Sequence, residues 1–147
     1  MTRAAARENA ALMVYAFSFA GAEELLEDRL CDEFFVRMKE EDALFVSPPE
    51  EENRRYIEQL VRGVDEHLPE LDSYIEKYAV GWKFSRIPRM AVAAMRVAMY
   101  EVLYRSDIPN GAALNEAIEI TKHYEPADVV RFVNGILGSF MEGENPA

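Results

Sequence analysis

The sequence predicts an all-α fold, on three observations. Leu, Ala, Glu, Met and Arg are plentiful while Thr is scarce, so helix propensity summed over windows wins almost throughout. Apolar residues recur at steps of three and four, the spacing of one helix face. No segment alternates apolar and polar residues convincingly, as a half-buried strand would. At 147 residues and 50% apolar content, the chain can fill the core of one domain or of two small subdomains.

A first helix is predicted over residues 4–19, with Thr2 as N-cap, Leu12, Val14, Tyr15, Phe17 and Phe19 as apolar positions, and Gly21 as the stop. A second follows over 22–39 on Leu25, Leu26, Leu30, Phe34, Phe35 and Met38. Acids at its start and Arg37 and Lys39 at its end suit the helix dipole. Ser47, Pro48, Pro49 and three glutamates then open a third helix through Tyr56, Ile57, Leu60 and Val64, which Pro69 kinks or restarts. Gly81 ends the first half, so the division is placed at 1–81 and 82–147. Ser85 and Pro88 reopen the chain into a helix over 87–104. Its only strongly polar side chains are Arg89, Arg96 and Glu101, which assigns it to the centre of the second half. Asn110 or Gly111 opens a fifth helix, closed at Tyr124-Glu125-Pro126, and Pro126 starts a sixth that runs into Phe140 before a frayed tail.

One stretch speaks against helix. RFVNGILGSF, residues 131–140, centres on Asn134-Gly135, a strong two-residue hairpin signal. Yet Phe132, Val133, Ile136, Leu137 and Phe140 have helical spacing and no partner strand exists, so the dipeptide is placed inside the last helix. Because glycine there costs about 1 kcal/mol, a specific use is expected. Gly135 and Gly138 are assigned to close helix packing, and Asn134 to a backbone bond.

Chemistry is sparse. The seven glycines form neither a dinucleotide fingerprint nor a phosphate loop, and Cys31, His67 and His123 have no metal-ligand spacing. A carboxylate-bridged metal site on helices wants Glu three residues before His, but Val64 and Ile120 stand there. No catalytic residue, metal or cofactor is called for. Cys31 reads as a small buried or half-buried hydrophobe, and Glu119 with His123 as a solvated pair. Arg96, alone on an apolar helix, reads as a paired structural arginine with Glu101 as a candidate mate. No apolar run nears the ~20 residues of a membrane span and the N-terminus lacks a signal-peptide apolar region, so a cytoplasmic protein is expected. The net charge of −11 repels phosphates, so any nucleic-acid site must be local. Arg3 and Arg7, one turn apart with only Glu8 as a nearby acid, are the first candidates to grip a phosphate track.

Several motifs in order, TRAAARENA, EKYAVGW with SRIPR, MRVAMYEVLYRSDIP, ALNEAIEITKHY and RFVNGILG, resemble the NusB family of bacterial transcription antitermination factors. The resemblance implies two packed three-helix subdomains and no catalysis. It also implies a partner, the small-subunit ribosomal protein NusE, with which family members bind single-stranded boxA RNA in nascent ribosomal RNA transcripts as part of the RNA polymerase antitermination complex. Family RNA contacts carry over onto Arg3, Arg7, Lys122 and Tyr124, where cations neutralise phosphates and an aromatic face stacks a base. Asp128 and Phe132 carry over as candidates for the partner-facing surface, with packing and helix capping as the equal alternative. Ala4 and Gly111-Ala112 stand where relatives carry positive charge, which predicts weak RNA binding without NusE. Relatives vary between monomer and dimer, so a homodimer stays open. The alternative function is a helical protein-interaction module of the same fold with little RNA binding of its own.

Overall fold

Thr2 starts the first helix as its position suggests, its Oγ1 accepting the Ala5 N–H at 3.0 Å. The computed structural model describes residues 1–31, 34–35 and 48–146. Among them are seven α-helices and no strand. They fall into two compact units, Met1–Asp65 and Glu66–Ala147.

In the first unit, α1 (Arg3–Tyr15) buries Ala6, Ala10, Ala11, Met13 and Val14, then tightens into a 3₁₀ turn, Ala16–Ser18. It therefore stops short of residue 19, and Phe19 is exposed rather than on an apolar face. Gly21 is extended, and its carbonyl accepts the Leu25 N–H of α2 (Ala22–Arg29). Leu30 leaves the helical region at φ −113° and ψ 33°, so this helix does not run unbroken towards residue 39. Phe34 and Phe35 are helical again and pack edge to face. The expected continuation through Met38 with Arg37 and Lys39, and the Ser47 cap, lie outside the described residues. Cys31 is half-buried, as its setting suggests.

The third helix, α3 (Glu51–Glu66), buries Tyr56, Ile57, Leu60, Val61 and Val64. Arg62 holds it to α2, its Nε and Nη2 donating to the two carboxylate oxygens of Glu23 at 2.7 and 3.1 Å. Pro69 restarts the chain rather than bending it. His67 separates α3 from α4 (Leu68–Tyr78), with Pro69 at the opening turn, where a missing N–H leaves nothing unsatisfied.

The second unit adds α5 (Arg89–Tyr104), α6 (Asn110–Tyr124) and α7 (Ala127–Glu144) to α4. The apolar α5 is its centre, packing against α4, α6 and α7, as its nearly all-round hydrophobicity requires. Because α4 packs on α5 and α7, the units divide at Asp65–Glu66, ahead of the Gly81-Trp82 cut that the sequence suggests. Arg96 is paired and structural as expected, and its mate is Asp72 on α4, at 2.7 and 2.8 Å, rather than the candidate Glu101.

Asn134-Gly135 lies inside α7, so the hairpin signal loses to helical spacing. The expected use of the glycines is corrected. A methyl group at Gly135 or Gly138 would meet nothing within 4 Å, and Asn134, Gly135 and Gly138 are all exposed. Val133, Ile136, Leu137 and Phe140 form the buried stripe, and these positions lie off it. Gly135→Ala and Gly138→Ala are therefore each expected to stabilise the chain by about 0.5–1 kcal/mol, read from urea midpoints. Destabilisation would mean a neighbour does approach there.

The predicted frayed tail is also corrected, since α7 continues to Glu144. Lys77 Nζ lies 2.7 Å from Glu144 Oε2, and the Tyr78 hydroxyl donates to the same oxygen. Lys77, then Tyr78, hold that carboxyl below the usual carboxylate range. Phe140 sits between the rings of Tyr74 and Tyr78, with centroids at 5.2 and 6.3 Å.

At the other end of α4, the Tyr104 hydroxyl donates to Glu70 Oε1 at 2.5 Å. That bond, and then burial, push the phenol up to about 12. The fold favours the neutral phenol, so this stabilisation is complete below the ordinary tyrosine value near 10 and is lost as pH rises from about 10 to about 12. Tyrosinate absorbance of the chain minus that of Tyr104→Phe should show the late-titrating group. A difference curve centred near 10 would contradict the bond.

Candidate functional site

The first unit presents a stacked trio. Arg3 lies with its guanidinium carbon 4.1 Å from the centroid of the Tyr56 ring, and Arg7, one turn on, at 5.6 Å from the same ring. Their four-residue spacing puts both over one face of α3, and Tyr56 is the buried ring that receives them. Arg3 Nε donates to Asn53 Oδ1 at 3.0 Å, and Asn53 Nδ2 donates to the Met1 carbonyl at 2.8 Å. These bonds hold Arg3 in place while its side chain stays 37% exposed.

The two arginines are not equivalent. Arg7 is only 6% exposed and lies in a buried row with Glu8 and Asn9, so its charge supports the surface from beneath. Acids flank the exposed one: Glu52 Oε1 is 3.4 Å from Arg3 Nη2, and Glu50 receives the N-terminal ammonium at 2.8 Å. That ammonium, with the Glu50 backbone N–H, keeps the Glu50 carboxyl below its usual range.

In the second unit, the last turn of α6 carries Lys122 and Tyr124, both on the surface. Tyr124 is 40% exposed, so it is not a core aromatic. Lys122 Nζ lies 3.0 Å from Glu119 Oε1, so Glu119 pairs with Lys122 and not with His123 as the sequence suggests. His123 packs its ring edge-on to Tyr124 at 6.2 Å. Asp128 is exposed in the first turn of α7, where a carboxylate suits the helix dipole. Phe132, on the next turn, is half-buried against Trp82, with ring centroids 4.7 Å apart.

In the sequence Tyr56 reads only as an apolar position of the third helix, and Trp82 only as part of a family motif. Nothing local marks Tyr56, because Asn53 and Tyr56 are some fifty residues from Arg3. Trp82 did carry a signal, as the chain's only tryptophan beside a glycine. Gly81 adopts φ 84°, a left-handed turn open to glycine at little cost, and this turn leads the chain from α4 into Trp82.

The chain matches the model of the NusB family over residues 4–142. It is 36% identical over 146 residues to the transcription antitermination protein NusB of Ruminiclostridium cellulolyticum, covering 99% of this chain and 92% of that one. This chain belongs to the NusB family. The counterpart in Symbiobacterium thermophilum is 37% identical over 145 residues, covering 97% of this chain and 91% of the relative. Among solved structures, NusB of T. maritima superposes with a TM-score of 0.73 at 26% identity, covering 97% of this chain and 92% of that one. A structure of antitermination factors NusB and NusE with double-stranded RNA shares the fold at a TM-score of 0.71 and 23% identity, covering 96% of each chain. Ala4, Gly111 and Ala112, the positions at which the resemblance expects less positive charge, are all exposed. No described helix is long and apolar enough to cross a membrane.

Proposed function

We propose that this chain is a transcription antitermination factor that acts with NusE on boxA-type single-stranded RNA in nascent ribosomal RNA transcripts. The observation that carries this reading is its likeness, over nearly its whole length, to relatives named as transcription antitermination proteins. A NusB of the same fold is solved together with NusE and RNA. Arg3 supplies the accessible guanidinium in the first unit and Arg7 stiffens it through Tyr56. Lys122 supplies an ammonium and Tyr124 a stacking face in the second unit. Asp128 and Phe132 are assigned to the NusE-facing surface. The place of action is the cytoplasm, with the polymerase that makes the transcript.

The engagement of Arg3 by Asn53 and Glu52, the burial of Arg7 and the charge of −11 favour one second reading, a protein-interaction module of this fold with little RNA affinity. A titration with NusE and boxA-type RNA across salt separates the two. The first reading expects tighter binding than to a scrambled RNA, and a salt slope about 0.7 smaller in Arg3→Ala, as for one lost phosphate contact on a single strand. Equal affinity for both RNAs with NusE present would sink it. NusE capture unaffected by Arg3→Ala, without RNA binding, would establish the second.

A further inference from the structure

From Lys77 to Tyr100 the sequence contains no Asp or Glu and five cations, in a chain whose net charge is −11. Two of the five are used internally, Lys77 by Glu144 and Arg96 by Asp72. Lys83, Arg86 and Arg89 are exposed, and none of them is in an ion pair among the described residues. Local sign matters here, because beyond a Debye length of about 8 Å at physiological salt the distant acids are screened.

The same segment carries the aromatic. Trp82 is 51% exposed, and Phe132 backs its indole at 4.7 Å with the rings tilted by 43°. Gly81, Trp82, Lys83 and Arg86 line an open depression of about 410 Å³. The segment is also held. Arg86 and Ile87 donate to the carbonyls of Lys83 and Phe84 in a 3₁₀ turn, and the Arg96 guanidinium lies 6.0 Å from the Phe84 ring centroid. A fixed, half-exposed indole beside two cations that make no ion pair among the described residues, around an open hollow, is a recognition chemistry for one unpaired base and its phosphate.

We infer that the segment from Trp82 to Arg86, backed by Phe132, is a further RNA subsite, in which Trp82 stacks one unpaired base and Lys83 and Arg86 neutralise the adjoining phosphates. The inference rests on the proposed RNA-binding function and adds residues to it. A single-stranded rather than base-paired ligand follows from the stacking, since a paired base offers no free face.

Trp82 is the only tryptophan, so the intact chain carries its own probe. The chain with NusE is titrated with a fluorescently labelled boxA-type RNA and with the same RNA annealed to its complement. Trp82 emission is read as the difference from Trp82→Phe, and binding is read separately by anisotropy of the label. The single strand should quench Trp82 and the duplex should not. Lys83→Ala/Arg86→Ala should weaken binding about tenfold and reduce the salt slope by about 1.4, with thermal unfolding unchanged because both side chains are exposed. RNA binding by anisotropy with silent Trp82 emission and an unaffected double variant would overturn the subsite while leaving the proposed function standing. Equal quenching by the duplex would overturn the stacking. Quenching by NusE alone, with RNA adding nothing, would make the segment a protein-docking face. Absence of RNA binding in every arm would overturn both the subsite and the function it rests on.

Discussion

Tyr56→Ala is expected to lower the unfolding free energy by about 3–5 kcal/mol, the range for deleting a large buried aromatic. Tyr56 is 2% exposed on α3, and its ring receives both Arg3 and Arg7. The substitution opens a cavity under the apolar face of α3 and removes two cation–π contacts of about 0.5–1 kcal/mol each. It also takes the support from Arg7, whose charge is already desolvated. Tyr56→Phe keeps the ring and should cost far less, so the pair separates ring from hydroxyl. Urea unfolding followed by circular dichroism measures both. A loss below about 1 kcal/mol in Tyr56→Ala would mean that the ring does not anchor the N-terminal helix.

Asp72→Ala should cost about 2–3 kcal/mol, because it strands a guanidinium that sits largely out of water. Asp72 and Arg96 are joined by two parallel hydrogen bonds, and their side chains are 27% and 16% exposed. Such bidentate pairs are the strong class of charged hydrogen bond, and removing one partner costs more than removing both. Asp72→Ala combined with Arg96→Met should therefore recover part of the loss. If the double substitution is as unstable as the sum of the two single ones, the pair is not the source of the effect.

The helices that could be read from the sequence are those whose pattern is carried by side chains meeting within one element. The boundaries of α6 and the central place of α5 follow from runs such as MAVAAM and from the punctuation of Pro109-Asn110 and Tyr124-Glu125-Pro126. The stopping points of α1 and α2 were not legible, because propensity stays high past Tyr15 and Arg29. The glycines of α7 were misassigned although the helical spacing held the answer: Val133, Ile136, Leu137 and Phe140 define the buried stripe, and Gly135 and Gly138 fall outside it. Pairings across the chain were beyond local patterns. Arg96 could be read as needing a mate, but Asp72 lies 24 residues before it in another helix, and the same holds for Arg3 with Asn53 and Tyr56. Arg3 and Arg7 stand out by their one-turn spacing beside a single acid, whereas Lys122 and Tyr124 are legible only through the family motifs, since lone surface groups carry no signature of their ligand.

The contact of α4 with the end of α7 has a kinetic meaning. Within the second unit, α4, α5, α6 and α7 pack largely on their neighbours in sequence, whereas Lys77 and Tyr78 reach Glu144 across 67 and 66 residues. Closing so long a loop costs more chain entropy than pairing adjacent helices, so this clasp belongs to the late steps of folding. Contacts made late act mainly on the rate of unfolding, so the clasp sets how long this unit stays folded more than how fast it forms. Salt screens the exposed Lys77–Glu144 pair and should hasten unfolding while leaving refolding nearly unchanged, which stopped-flow measurements in both directions would read.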